Sequence, residues 1–298
     1  MRTVYLGTSE FAAAILDALA DSPHRPALVV TRPDRPRGRG RKLAAPPVAQ
    51  RARELGLELA QPESVNDEAA RAQIAAAAPE AVCVCAFGAL IKEPLLSDYP
   101  MLNVHPSLLP RWRGAAPIER AIMAGDPETG VSIMHLTAGL DSGPVCAQAR
   151  TPIEPADSFG SAAARLEALG AELLIDVLDR SPPCHEQPAD GVTYAERITP
   201  ADRRLDPSRT AAELERVVRA LHPHIGAQIE LAGGELLGVH EAQVVAEGGM
   251  IAPGELSLEG TRPRLGCGGG ALELLTVQPP GKRAMSGEDF VRGRRGGH

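Results

Sequence analysis

An apolar strand with a polar end reads Met101-Leu102-Asn103-Val104-His105-Pro106-Ser107-Leu108-Leu109-Pro110. Asn103 and His105 are two positions apart, so along an extended chain their side chains point to the same side. In an open α/β sheet, the carboxyl ends of the strands open into the crevice where ligands bind. The stretch therefore predicts a strand of such a sheet with a binding site at its carboxyl end.

Short β patterns alternate with helical patterns on both sides of this strand. Strands are predicted at 3–6, 27–30, 57–60, 81–86, 102–105 and 131–136, and helices at 11–19, 47–55, 67–78, 117–123 and 158–178. This alternation indicates βαβ units and an α/β fold with a mostly parallel sheet. A last strand at 145–149 is expected to pair antiparallel at the end of the sheet, and Ser9 is expected to cap the first helix.

The chain changes character after residue 181. Prolines and polar residues dominate 181–204, which is predicted to be a linker with one docked segment at 192–198. Beyond it, a helix at 210–221 and Gly-separated β runs at 228–231, 235–245, 262–265 and 271–277 are typical of a small barrel. The predicted domains are 1–181, a linker at 182–203, and a C-terminal β-barrel domain at 204–298.

The composition limits the class of protein. Of 298 residues, 44% are hydrophobic and 23% charged, which is ordinary for a globular protein. The net charge of -7 argues against sequence-independent coating of nucleic acid, but it leaves room for a local basic patch. No apolar run reaches 18 residues and the first residues lack a secretion signal, so a cytoplasmic protein without membrane contact is expected.

Asn103 and His105 form a candidate catalytic pair. Two hydrogen-bonding side chains aimed at one point suit a carbonyl oxygen that gains negative charge during a reaction. An acid follows in the segment Gly139-Leu140-Asp141-Ser142-Gly143-Pro144. The alternative is a satisfied pair in the core, but the Gly- and Pro-rich flanks and the later Asp141 favour catalysis.

A basic loop covers residues 32–42. It holds one acid, Asp34, against six cations: Arg32, Arg35, Arg37, Arg39, Arg41 and Lys42. A solvated surface loop is the alternative, but so many cations in one loop of an acidic chain indicate contact with phosphates. Residues 204–298 differ, since their 11 Lys and Arg nearly balance 12 Asp and Glu.

The five cysteines are spread along the chain without a CxxC pair. Cys83 and Cys85 lie on one face of a predicted apolar strand, so buried reduced thiols are expected. A metal site, which needs several ligands at tetrahedral spacing, is not expected. His135 is expected to be structural, and the single Gly7 after the first strand is not a dinucleotide-binding fingerprint.

These motifs resemble those of the folate-dependent formyltransferases. Asn103-x-His105 with Ser107-Leu108-Leu109-Pro110 and the Asp141-Ser142-Gly143-Pro144 segment are similar across that superfamily. A narrower likeness, to the methionyl-tRNA formyltransferase family, is carried by Arg111-Trp112-Arg113-Gly114-Ala115-Ala116-Pro117-Ile118, Arg32-Pro33-Asp34-Arg35-Pro36, Gly38-Arg39-Gly40-Arg41-Lys42-Leu43, Thr193-Tyr194-Ala195 and Pro280-Gly281-Lys282-Arg283-Ala284-Met285-Ser286. The resemblance runs essentially from end to end.

The resemblance implies a Rossmann-like catalytic domain followed by an OB-like β-barrel that binds tRNA. It implies transfer of a formyl group from 10-formyltetrahydrofolate to the α-amino group of methionine on initiator methionyl-tRNA. Asn103 and His105 would donate hydrogen bonds to the formyl oxygen, and Asp141 would orient or charge His105 and help to move the proton.

The resemblance also implies binding residues. The folate would contact Ser107, Leu108, Leu109, Pro110, Phe87, Gly88 and Leu90. The acceptor stem of tRNA would be bound by Arg32, Arg35, Arg37, Arg39, Arg41 and Lys42, with secondary contacts from Lys282 and Arg283 and from Arg292, Arg294 and Arg295. A monomer is expected, without metal, nucleotide cofactor, DNA or membrane as a partner.

Three other functions remain open at this point. A formyltransferase for a small amine would share Asn103, His105 and Asp141 but would have no use for the basic loop. A hydrolase of formyl-folate would release formate without tRNA. A non-catalytic RNA-binding protein is the third, although RNA binding does not need these three groups together.

Overall fold

A computed structural model of the chain describes residues 1–37, 42–231, 233–245 and 251–295, with the backbone alone at residue 37. The elements in chain order are β1 (Thr3–Gly7), α1 (Glu10–Ala20), β2 (Pro26–Val30), β3 (Arg35–Arg37), β4 (Lys42–Ala44), α2 (Pro47–Glu54), β5 (Leu59–Ala60), α3 (Glu68–Ala76), β6 (Ala81–Cys85), α4 (Leu95–Asp98), β7 (Met101–His105), β8 (Arg113–Gly114), α5 (Pro117–Ala124), β9 (Glu128–His135), β10 (Val145–Pro152), α6 (Phe159–Arg180), β11 (Tyr194–Ala195), α7 (Ala211–Leu221), β12 (Ala227–Glu230), β13 (Leu236–Val245), β14 (Leu256–Ser257), β15 (Arg264–Gly266), β16 (Ala271–Gln278), β17 (Met285–Ser286) and α8 (Gly287–Arg295).

The chain divides into two compact units. The first consists of Met1–Gly114, Glu128–Pro152 and Ala163–Tyr194, and the second of Ala115–Pro127, Ile153–Ala162 and Ala195–His298. The domain boundaries drawn from the sequence, near residues 181 and 204, stay predictions.

The sheet of the first unit has seven strands in the order β10-β9-β7-β6-β1-β2-β5. Strands β5, β2, β1, β6 and β7 run parallel, which confirms the mostly parallel sheet. Strand β9 runs antiparallel to β7, and β10 antiparallel to β9 at the edge, as predicted for β10. The carboxyl ends of β1, β6 and β7 therefore meet at one edge of the sheet.

Strands β1, β6 and β7 are buried along their whole length. Their near-continuous apolar sequences are those of parallel strands covered on both faces. Helix α1 begins at Glu10, one residue before the predicted start, and Ser9 caps it as expected: its hydroxyl accepts a hydrogen bond from the backbone N–H of Ala12 (3.2 Å). Gly170 of α6 allows that helix to approach β7 closely, since a Cβ there would lie 3.1 Å from Val104 Cγ1.

Part of the basic loop forms a hairpin that the sequence did not predict. Strands β3 and β4 pair antiparallel, with Pro36 opposite Leu43. A two-stranded ribbon tolerates proline because its outer edge needs no N–H donor. Residues 38–41, which include Arg39 and Arg41, lie outside the described residues.

The second unit contains an antiparallel sheet in the order β12-β13-β16-β15-β14, with β17 paired to β16. The predicted C-terminal β domain is thereby confirmed, while its closure into a barrel stays a prediction. Helix α7 covers the sheet and begins with a capping box between Thr210 and Glu213. In the described part of the chain, no helix is both long and apolar enough to cross a membrane.

The oxidation state of the cysteines agrees only in part with the predicted reduced thiols. Cys83, Cys85 and Cys267 are free and buried, as expected. Cys146 and Cys184 instead form a disulfide across 38 residues of sequence. Sequence spacing could not reveal this disulfide, because the two cysteines become neighbours only through the backbone pairing of β10 with the 182–187 segment.

Candidate active site

The carboxyl end of β7 presents Asn103 and His105 on one side of the strand. Both are buried, with 8% and 4% of their surface exposed. No group in the described residues hydrogen-bonds to the Asn103 side-chain amide. Buried polar groups are nearly always hydrogen-bonded, so this amide is a candidate for contact with a substrate.

The His105 ring is held on two sides. Its Nε2 lies 2.8 Å from the backbone carbonyl oxygen of Trp112. A carbonyl oxygen only accepts, so we assign the proton to Nε2 on the basis of this partner. The other ring nitrogen, Nδ1, faces Oδ2 of Asp141 at 3.7 Å. The predicted triad residues thus lie together, while their catalytic roles stay predictions.

The loop that carries Asp141 is fixed by Gly114 and Arg113, whose role here the sequence did not predict, and by Gln187, which sequence reasoning missed. Oδ2 of Asp141 accepts a hydrogen bond from the backbone N–H of Gly114 (2.8 Å). Nε2 of Gln187 donates to the carbonyl oxygens of Asp141 and Gly143, both at 2.8 Å. Oε1 of Gln187 accepts from Nε and Nη2 of Arg113, at 3.0 and 2.7 Å. No motif marks a lone glutamine 46 residues away as the anchor of this loop.

Three non-glycine residues around the site have left-handed backbone conformations. Ala86, Trp112 and Asp141 have φ angles of 42°, 62° and 42°. Such conformations cost about 1 to 3 kcal/mol each and cluster at functional sites. Here they surround the carboxyl edge of the sheet, which favours an active site at this edge.

The predicted folate turn, residues 107–110, is held by hydrogen bonds to neighbouring residues of the protein. Ser107 is fully buried, and its hydroxyl donates to the carbonyl oxygen of Arg111 (2.6 Å). The Ser132 hydroxyl donates to the Ser107 carbonyl oxygen and accepts from the Leu109 N–H. Nε2 of Gln148 donates to the Leu109 carbonyl oxygen (2.9 Å). Ser107 and Leu109 are buried, and Leu108 and Pro110 are half-buried.

The other predicted folate residues follow β6. Phe87 is buried, and its carbonyl oxygen accepts from the Thr8 hydroxyl (2.7 Å). Gly88 is exposed at a φ of 72°, and 68% of Leu90 is exposed. The exposed Leu90 side chain provides apolar surface for a flat ring, but contact with folate stays a prediction.

Comparison with known proteins identifies the family. Residues 1–178 match the formyl transferase family and residues 197–295 match the C-terminal domain of formyl transferases. The chain belongs to the formyltransferase family. The methionyl-tRNA formyltransferase of Ruegeria pomeroyi is 42% identical over 98% of this chain and 97% of its own length. That of Methylococcus capsulatus is 44% identical over 98% of this chain and 96% of its own.

A solved structure shares the fold of this formyltransferase family member. It is an N-formyltransferase from Helicobacter canadensis, solved in complex with folinic acid and dTDP-3-aminofucose. The two superpose with a TM-score of 0.67 at 14% identity, over 92% of this chain and 98% of that one.

The predicted tRNA-binding cations are exposed wherever the structure describes their side chains. Arg32 donates to the Gly88 carbonyl oxygen (3.2 Å), and Arg35 pairs with Glu63 (2.5 Å). Lys42, on β4, is exposed. In the second unit, Lys282 and Arg283 are exposed as well. The structure does not describe the Arg37 side chain, Arg39 or Arg41. The tRNA-binding role of all these cations stays a prediction.

Proposed function

We propose that this chain transfers a formyl group from 10-formyltetrahydrofolate to the α-amino group of methionine on initiator methionyl-tRNA. The observation that carries the proposal is the group of Asn103, His105 and Asp141 at the carboxyl edge of the sheet. The family, and relatives that match almost the whole chain, support the acceptor and the donor.

The reaction forms one C–N bond and breaks another. The neutral amine attacks the formyl carbon, the carbonyl oxygen gains negative charge, and the bond from the carbon to N10 of the folate then breaks. The proton that the amine loses ends on N10. A donor to the charged oxygen is worth about 3 to 4 kcal/mol in such a transition state.

Asn103 is the donor that needs the least rearrangement. Its amide has no hydrogen-bond partner within the described residues, so it can donate to the formyl oxygen directly. His105 already donates through Nε2 to the Trp112 carbonyl oxygen. Its role as second donor therefore requires that the ring exchange this acceptor for the formyl oxygen.

Asp141 is assigned two tasks, to orient His105 and to accept a proton. Its Oδ2 faces both the Gly114 N–H and Nδ1 of His105. No hydrogen bond to Oδ1 is found in the part of the chain that is described. We assign Oδ1 the transfer of the amine proton, either directly or through water.

The remaining assignments rest on the resemblance to the formyltransferase family. The folate is assigned to residues 107–110 with Phe87, Gly88 and Leu90, and the tRNA to the exposed cations of residues 32–42. Lys282 and Arg283 are assigned a separate contact in the second unit. A monomeric enzyme of the cytoplasm, with no DNA or membrane partner, completes the proposal.

The test is formyl transfer from 10-formyltetrahydrofolate to four acceptors offered separately. These are methionyl initiator tRNA, methionyl elongator tRNA, a nucleotide-linked amino sugar, and buffer alone. Formylation of the initiator tRNA only is the expected result. Transfer to the amino sugar instead, or formate release in buffer alone at a comparable rate, would overturn the assigned acceptor.

A further inference from the structure

A second cluster of reactive side chains lies in the first unit, apart from the triad. It consists of His135, Cys146 and Cys184, whose potential ligand atoms all lie within 4.8 Å of one another. All three residues are half-buried, and Cys146 and Cys184 are joined by the disulfide. Neither the family assignment nor the proposed reaction gives this cluster a role.

The backbone fixes the two cysteines opposite each other. Val145 and His185 exchange both backbone hydrogen bonds, at 2.8 and 2.9 Å. In an antiparallel pair the next residues, Cys146 and Cys184, then form the closely spaced pair without hydrogen bonds. Their Cα atoms are 3.9 Å apart. Because the backbone brings them together, the two sulfurs stay neighbours when the disulfide is reduced.

His135 completes the cluster from the neighbouring strand. Its backbone N–H donates to the Pro144 carbonyl oxygen (2.8 Å), and the pairing of β9 with β10 is irregular between Val145 and Ala147. The extra residue at this irregularity is Cys146. The described residues provide no hydrogen-bond partner for the His135 ring, so a ring nitrogen is free to act as a ligand.

The cluster opens into a cavity of about 270 Å³. Besides the three residues, Ala81 and Leu102 line this cavity, and they lie at the amino ends of β6 and β7. Asn103 and His105 lie at the opposite, carboxyl edge of the same sheet. The cavity is therefore a separate site, and it gives an ion or a small reductant access to the sulfurs.

We propose that His135, Cys146 and Cys184 bind one thiophilic d10 cation of the Zn²⁺ class when the disulfide is reduced. Two thiolates and an imidazole form a soft ligand set, and water from the cavity supplies the fourth ligand. The first step is reduction, in which two external thiols become a disulfide and the protein disulfide becomes two thiols. The cation then replaces the two thiol protons, which pass to solvent.

The test uses Cd²⁺ as the probe and the full-length chain. The protein is reduced with a phosphine, freed of the reductant without oxygen, and titrated while the thiolate-to-Cd²⁺ charge-transfer absorbance is followed. We expect one equivalent bound per reduced chain and none per oxidised chain. Cys146→Ser and Cys184→Ser should abolish the band, and His135→Ala should weaken binding at least about tenfold, since even indirect supporting groups contribute that much.

Cys267→Ser is the matched control, because Cys267 is free, buried and part of the second unit. It should bind Cd²⁺ like the wild type. Protection of Cys146 and Cys184 from alkylation by one equivalent of Zn²⁺ tests the proposal on the wild type, even if a serine variant fails to fold. Absence of a one-equivalent band in the reduced wild type, or a band that survives in the Cys146→Ser and Cys184→Ser variants, would overturn the proposal.

Discussion

Nδ1 of His105 lies 3.7 Å from Oδ2 of Asp141, while Nε2 of the same ring is 2.8 Å from the Trp112 carbonyl oxygen. The first distance is too long for a hydrogen bond and short enough for charge attraction. The carbonyl and the carboxylate therefore hold the ring between them, with Nε2 towards the carbonyl oxygen and Nδ1 towards the negative charge.

Asp141→Asn tests this relationship. The amide keeps an oxygen for the Gly114 N–H but removes the charge that faces His105. We expect kcat for formyl transfer to fall by about 10² to 10³, with folate affinity changed little. Steady-state kinetics and a folate titration measure the two effects. Asp176→Asn, which changes a half-buried carboxylate paired with Arg180 on α6, is the control and should keep normal turnover.

Gln187 is predicted to position the Asp141 loop without touching the substrate. Gln187→Glu still accepts from Arg113 but no longer donates to the two loop carbonyls. We expect Gln187→Glu and Gln187→Ala alike to lower kcat about tenfold, with KM for folate nearly unchanged. Gln73→Ala, at an exposed position on α3, is the comparison. A normal kcat in Gln187→Glu would show that the donated hydrogen bonds are not needed.

The exposed cations of the basic loop should act through phosphates. Replacing Arg32, Arg35 and Lys42 with Ala should weaken tRNA binding and reduce the salt dependence of log Kd by about two to three units of slope. The matched triple variant changes Arg2, Arg150 and Arg180, which are exposed cations elsewhere in the first unit. Equal losses in both variants would point to general charge instead of a binding loop.

Burial should protect two thiols from alkylation. Burial raises the pKa of Cys83 and of Cys85 to about 12, so almost no thiolate is present near neutral pH. In the reduced, native protein we expect Cys146 and Cys184 to be labelled long before these two. Mass spectrometry after timed alkylation measures the order. Early labelling of Cys83 or Cys85 would contradict the buried arrangement of β6.

Asp202 should contribute to the acid stability of the second unit. Partial burial acts to raise its pKa, but hydrogen bonds from Arg120 and Thr199 outweigh it and hold the pKa at about 2, below the usual 3.8. The pKa of Asp202 is lower in the folded protein than in the unfolded chain. Its ionised form therefore stabilises the fold above about pH 4, and this stabilisation is lost as the pH falls to about 2. We expect Asp202→Asn to cost about 1 to 2 kcal/mol of unfolding free energy at neutral pH. Denaturant unfolding at several pH values should show this difference shrinking towards pH 2.

The sequence predicts those parts of the site that repeat a local pattern. The i, i+2 spacing of Asn103 and His105 on an apolar strand places both at the carboxyl edge. Alternating strands and helices predict the parallel sheet that forms this edge. These inferences succeed because they depend on neighbouring residues alone.

The residues that hold the site loops in place could not be predicted, because their role depends on long-range contacts and no local pattern marks them. Ser132, Gln148 and Gln187 are ordinary polar residues until the fold places them beside turn carbonyls. The direction of β9 and the Cys146–Cys184 pair likewise depend on which strands become neighbours. The hairpin at Pro36 was missed because proline lacks the N–H donor of a strand ladder and therefore argues locally against strand structure.

In the proposed reaction Asn103 stabilises the charged formyl oxygen, and single-turnover formylation of methionyl initiator tRNA is the measurement that isolates this role. Wild type and Asn103→Ala would be mixed in excess over the tRNA, with saturating 10-formyltetrahydrofolate, and quenched at short times. We expect a rate at least about 10²-fold lower in the variant, with folate affinity preserved. A near-normal rate, with folate bound as tightly as in the wild type, would contradict it.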